Sequence, residues 1–258
     1  MKCSDDIRLA YREFSYGKRE CVLSVLIHAL LIAGVLFSVT MFLHVAGIGD
    51  GFFGSRMEGK YSFQLFGFAK ADEGWLKERG ITVSDYDDEG RPAYGELGSL
   101  RRIWLTKFEA TVRGKDIWNA QLDDALAVLL FLHLLFAATA VILWIVWVNT
   151  LFNSWSMKTE ERKVCIGMYY RLGMPKGSIA SVYTLYFAVR ACLAFGLAVG
   201  INALLIAVVK RFMSRTMKVS YPLPCASGAV IAAAAVLTVA FLLAGYLKMR
   251  RNRRVFEG

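Results

Sequence analysis

The stretch ALAVLLFLHLLFAATAVILWIVWVNTLFNSWSM, residues 125–157, runs for 33 positions between Asp124 and Lys158 without one charged side chain. A bilayer core takes roughly 20 predominantly apolar helical residues, so this stretch is long enough to cross. Three further blocks resemble it. Residues 21–49 are uncharged, residues 177–209 carry only Arg190, and residues 219–247 carry no charge. The 258-residue chain is 56% hydrophobic and 20% charged, against about 45–50% and about 25% in soluble domains. Apolar residues concentrated in four blocks exclude a soluble enzyme. The expected fold class is a membrane all-α protein: four transmembrane helices with a small α+β extracytoplasmic domain between spans one and two.

The blocks set the boundaries. Spans are expected at 22–45, 125–152, 177–209 and 222–247, with an outside domain over 46–124 and an outer loop over 210–221. A cytoplasmic amphipathic helix over 1–21, a cytoplasmic helix within 153–176 and a basic cytoplasmic tail over 248–258 complete the chain. The first block reads as a retained anchor. A signal core is about 7–15 residues after a short basic start, whereas a longer run follows a mixed-charge segment here.

Orientation follows the Lys and Arg content of short flanking segments. Lys2, Arg8, Arg12, Lys18 and Arg19 precede span one, and Lys158, Arg162, Lys163, Arg171 and Lys176 follow span two. Lys248, Arg250, Arg251, Arg253 and Arg254 follow span four, whereas the opposite face has Lys210, Arg211, Arg215 and Lys218. Both termini are therefore expected inside, at an inner or plasma membrane. The five cysteines (Cys3, Cys21, Cys165, Cys192, Cys225) yield no disulfide framework, and residues 46–124 contain none.

Along the chain, Ile7, Ala10, Tyr11 and Phe14 share a helical face, as in an interfacial helix or a lead-in to a span. In the outside segment, Tyr61–Phe68 reads as a strand, Asp72–Arg79 as a short helix ended by Gly80, and Ile81–Ser84 as another strand. Asp87–Pro92 reads as a turn. Residues 102–113 alternate through Trp104, Thr106, Phe108, Ala110 and Val112, as a half-buried strand does.

The sequence carries no GxxxxGK[ST], HExxH, CxxC or GxSxG motif, so any nucleotide site is expected on another chain. Polar groups inside apolar spans are costly and often functional. His28 and His133 fit either a neutral ring bonded to a neighbouring helix or a proton relay. Ala191–Val209 is nearly long enough to cross alone, which puts Arg190 at the cytoplasmic edge with its stem reaching toward the headgroups.

The stretch after span two reads Glu161-Arg162-Lys163-Val164-Cys165-Ile166-Gly167-Met168-Tyr169-Tyr170-Arg171-Leu172-Gly173-Met174-Pro175. Its pattern is a helix ended by a left-handed cap at Gly173, with Pro175 blocking continuation. A short helix between two spans suits either a soluble partner or the headgroup layer.

This stretch resembles the signature of the FtsX-like/MacB-like ABC transporter permeases. In that family a charged start, an Ile-Gly pair, an apolar turn and a Leu-Gly precede the third span. Glu161, Arg162, Ile166, Gly167, Leu172 and Gly173 stand at the matching positions, and Ala191, Gly196 and Gly200 give span three a similar small-residue content. The resemblance implies a permease subunit, paired with an identical or different second permease subunit and without a cofactor of its own. ATP and Mg would sit on a partner ABC ATPase. Glu161, Arg162, Ile166, Gly167, Met168, Tyr169, Arg171, Leu172 and Gly173 would form the coupling helix that docks it.

Two functions follow from the resemblance. One is transport: ATP-driven export or extraction of an amphipathic peptide, lipid or lipoprotein. The alternative is a non-transporting FtsX-type regulator that activates a cell-wall hydrolase through the outside domain, which the short length of that domain favours. A channel or scaffold without an ATPase is a third reading.

Overall fold

The computed structural model describes residues 8–10, 18–54, 61–217, 221–224 and 228–251. Among the described residues, four helices are long and apolar enough to cross a membrane: α1 (Lys18–Gly54), α4 (Ala120–Glu161), α6 (Lys176–Phe212) and α7 (Gly228–Arg251). All four pass an end of the apolar block that announced them, α1 and α4 by the most. α1 passes the expected end at 45, and α4 starts before 125 and continues to Glu161. The side chain of Asn119 explains the early start, because its Oδ1 accepts from the Leu122 N–H at 3.3 Å and Asn favours helix N-caps.

The chain divides into two compact units. One comprises Met1–Val39, Ala138–Ile206 and Pro224–Gly258. Its helices pack through small side chains. Ala29 and Ala33 of α1 and Ala194 and Ala198 of α6 are buried with Ile32, Leu36 and Trp147, the close approach that small residues at four-residue spacing allow between apolar helices. Trp155 of α4 stacks on Phe187 of α6 at 4.4 Å between centroids. A Cβ on Gly245 would come within 2.9 Å of the same indole, so only glycine fits there. Of the expected amphipathic helix over 1–21, Arg8–Ala10 are helical with Ala10 buried, and Lys18–Cys21 belong to α1. Ile7, Tyr11 and Phe14 lie outside the described residues, as do Cys3 and Cys225.

The other unit comprises Thr40–Ala137 and Ala207–Leu223. Between α1 and α4 the chain forms an antiparallel sheet of order β2-β3-β1-β4, built from β1 (Tyr61–Phe66), β2 (Thr82–Tyr86), β3 (Pro92–Leu97) and β4 (Asp116–Trp118). Helices α2 (Glu73–Glu78) and α3 (Leu100–Val112) complete it. Tyr61, Phe63 and Leu65 alternate inward along β1, and Phe63 faces Gly95 across the β1–β3 ladder. A Cβ on Gly95 would lie 2.8 Å from Ile81 Cγ2. The core adds Leu76, Ile81, Leu97, Leu100, Ile103, Ala110, Ile117 and residues of α1 and α4.

One sequence expectation is corrected here. Residues 102–113 form helix α3, not a strand. Leu100, Ile103, Thr106 and Ala110 are buried and recur at three- and four-residue spacing, so the helical period decides the burial. The alternation seen in the sequence coincides with it at Thr106 and Ala110 only. A carboxylate from elsewhere supports the helix start: Asp50 accepts from the Leu100 N–H at 2.5 Å and the Ser99 hydroxyl at 3.1 Å. The expected short helix, the stop at Gly80 (φ 76°) and the turn at Gly90 (φ 71°) are all present. Asp87 closes that turn, its carboxyl held below the usual carboxylate range by bonds from Arg91.

Candidate partner-docking helix

After Glu161 the chain turns at Arg162 and forms α5, Lys163–Arg171. The end of α5 explains its sequence. Gly173 has φ 88°. Its N–H donates to the Tyr170 carbonyl and the Met174 N–H donates to the Tyr169 carbonyl, both at 3.0 Å. This is the Schellman pair of bonds, with Met174 packing toward Tyr169 as the motif's apolar contact. Pro175 immediately precedes α6, its carbonyl accepting from the Ser178 N–H at 3.0 Å. The Lys176 ammonium lies 5.2 Å from the Tyr170 ring centroid.

The nine residues singled out in the sequence separate by burial. Ile166 and Gly167 are buried, and Ile166 packs with Met174, Ile179, Val182 and Tyr183, with Tyr169 partly buried against them. These residues tie α5 to the start of α6. Glu161, Met168, Arg171, Leu172 and Gly173 are exposed, and Arg162 is half-buried. Met168 and Leu172 are joined by Val164, which the sequence reading did not select. The three are 51%, 77% and 80% exposed respectively, and their four-residue spacing puts them on one face. That spacing was the available signal. Lys163 and Arg171 give the helix basic ends, and Lys158, buried at the end of α4, reaches Glu161 at 3.6 Å.

His28, His133 and Arg190 of the long helices find partners within their own helices. The His28 Nδ1–H donates to the Ser24 carbonyl at 2.6 Å, and the His133 Nδ1–H to the Leu129 carbonyl at 2.8 Å. Both bonds are within one helix rather than to a neighbour. Arg190 donates to the Tyr186 hydroxyl at 3.1 Å, with its guanidinium carbon 5.2 Å from that ring's centroid. Arg190, His28, Ser24, Ser154 and Thr238 border a cavity of about 30 Å³, space for about one water. Among the described residues no group of three His, Cys, Asp or Glu side chains is placed to hold a metal ion.

No protein-family model matches the chain, and no curated protein matches it.

Proposed function

We propose that this chain is the permease subunit of an ABC transporter complex, with α5 as the helix that docks a separate ATPase. The observation that carries the reading is α5 itself. It is a short helix with one face locked onto α6 by Ile166 and Met174 and an exposed apolar stripe of Val164, Met168 and Leu172 on another. A side chain of this size contributes roughly 1.5–3 kcal/mol on full burial, so the three offset part of the cost of association when the helix enters a partner's groove. Movement of that partner would be passed to α6 through the locked face. ATP and Mg belong to the partner in this account, and a second permease subunit completes the complex.

In this account the four apolar helices cross an inner or plasma membrane. Both termini and α5 are cytoplasmic, and the sheet-bearing segment lies outside. The work done there is export or extraction of an amphipathic peptide, lipid or lipoprotein. The small size of the sheet, four short strands, favours a second reading: an FtsX-type regulator in which the outside domain activates a cell-wall hydrolase.

The test is purification from native membranes in mild detergent, followed by mass spectrometry. The expected result is a near-stoichiometric ABC ATPase that is lost from Met168→Glu. Absence of an ATPase in several detergents overturns the proposal. Stimulation of the ATPase by an amphipathic substrate then selects transport over regulation.

A further inference from the structure

Helix α3 has more apolar surface than its core needs. Trp104, Leu105, Phe108 and Val112 are 47%, 49%, 68% and 74% exposed. Its first turns face a groove of about 390 Å³ whose other walls include Phe42 and Ala46 of α1 and Leu130 and Leu134 of α4. That volume is within the range of about 300–1,000 Å³ typical of small-ligand sites. Two ionisable groups line it, Arg101 and His133. The His133 Nδ1–H is engaged by the Leu129 carbonyl. Arg101 is exposed and makes no ion pair with a described residue. The Asp50 carboxylate is taken up by the Ser99 hydroxyl and the Leu100 N–H.

We propose that this groove binds an acyl chain of an anionic phospholipid whose phosphate meets Arg101. The proposal rests on the reading that α1 and α4 cross the bilayer. Phe42 and Leu130 then belong to segments already surrounded by lipid. The wall chemistry selects the occupant. An inserted peptide would bring backbone N–H and C=O groups against walls that offer almost no partners, a costly burial, whereas an acyl chain has no polar groups to satisfy. The guanidinium supplies the planar donors that suit a phosphate. Trp104 joins an apolar ring to a polar N–H, the residue type that gathers at membrane interfaces.

The experiment uses the full chain in phosphatidylcholine vesicles carrying dibrominated phosphatidylglycerol or dibrominated phosphatidylcholine. Bromine quenching of Trp104 is taken as the difference between the natural chain and Trp104→Phe. Alkaline carbonate extraction is run beside it. The expected result is stronger quenching by the anionic lipid, with the preference cut about tenfold in Arg101→Ala, the scale of one charge-assisted bond. Ala137→Phe, which fills the groove at a lining position, should remove the Trp104 signal for both lipids. A chain retained on extraction but unquenched at Trp104 overturns the lipid site alone. Equal quenching by both lipids that ignores Arg101→Ala overturns the anionic assignment and leaves annular lipid only. Disulfide capture between two Trp104→Cys copies, with quenching absent, overturns it in favour of a second copy of the chain. Release by alkaline extraction instead overturns the membrane reading on which the site rests.

Discussion

Replacing Gly173 isolates the link between α5 and α6. Gly173 sits at φ 88°, and a Cβ there would meet no described atom within 4 Å. Any penalty is therefore one of backbone conformation and not of packing. An L-residue in the left-handed region costs about 1–2 kcal/mol, and a β-branched side chain is the least tolerant. The bonds at risk are Gly173 N–H to Tyr170 and Met174 N–H to Tyr169, each 3.0 Å. Loss of about 1–2 kcal/mol raises the population of the opened turn about 5–30-fold. Hydrogen exchange followed over residues 168–176 should accelerate by that factor in Gly173→Val. Gly173→Asn should change little, since Asn enters the left-handed region readily. The long helices should keep their protection in both. Unchanged exchange in the Val variant, or equal acceleration in the Asn variant, would refute the cap as the element fixing α5 on α6.

Three further outcomes follow from the sheet-bearing unit. Gly95→Ala forces a Cβ to 2.8 Å from Ile81 and 3.1 Å from Phe63, so overpacking should destabilise by about 1–3 kcal/mol in denaturant unfolding; a neutral result would mean the strand yields. Tyr61 has a buried hydroxyl without a hydrogen-bond partner among the described residues, and burial with the nearby Asp50 charge pushes its pKa up to about 12. Tyr61→Phe should therefore leave the unfolding midpoint unchanged or raise it, because no bond is lost. Asp72 is held below the usual carboxylate range by the Lys115 ammonium and then by the Ala69 N–H. A depressed folded pKa gives stability that is present above the unfolded value of about 3.9 and lost as pH falls through the folded pKa. Lys115→Met should shrink this acid-side loss, read as unfolding midpoint against pH, and an unaltered slope would contradict it.

What the sequence disclosed depended on how far along the chain the cause lay. The four long helices are written in uninterrupted apolar runs, and α5 is written in local signals, Gly173 and Pro175. The start of α3 was not visible because its supporting carboxylate, Asp50, is 49 residues from the Ser99 it holds. A strand period over residues 104–112 then looked as good as a helical one. β3 was hidden for a similar reason. Its Pro92 read as the end of a turn, and Gly95 stands in the strand because Phe63 and Ile81 leave no room for a side chain. At α5 the buried and exposed halves of the nine-residue set could not be separated without knowing that Ile166 meets Ile179 and Val182. Val164 was legible all the same, from its four-residue spacing with Met168 and Leu172.

The central claim is that the exposed face of α5 docks an ABC ATPase, and site-specific photocrosslinking in native membranes tests it most directly. With the crosslinker placed in turn at Val164, Met168 and Leu172, the account predicts one dominant adduct, identified by mass spectrometry as an ABC ATPase. A crosslinker on the outward β2 residue Thr82 should give none. Adducts at the three positions made only of lipid, or of a protein without a nucleotide site, would contradict the account.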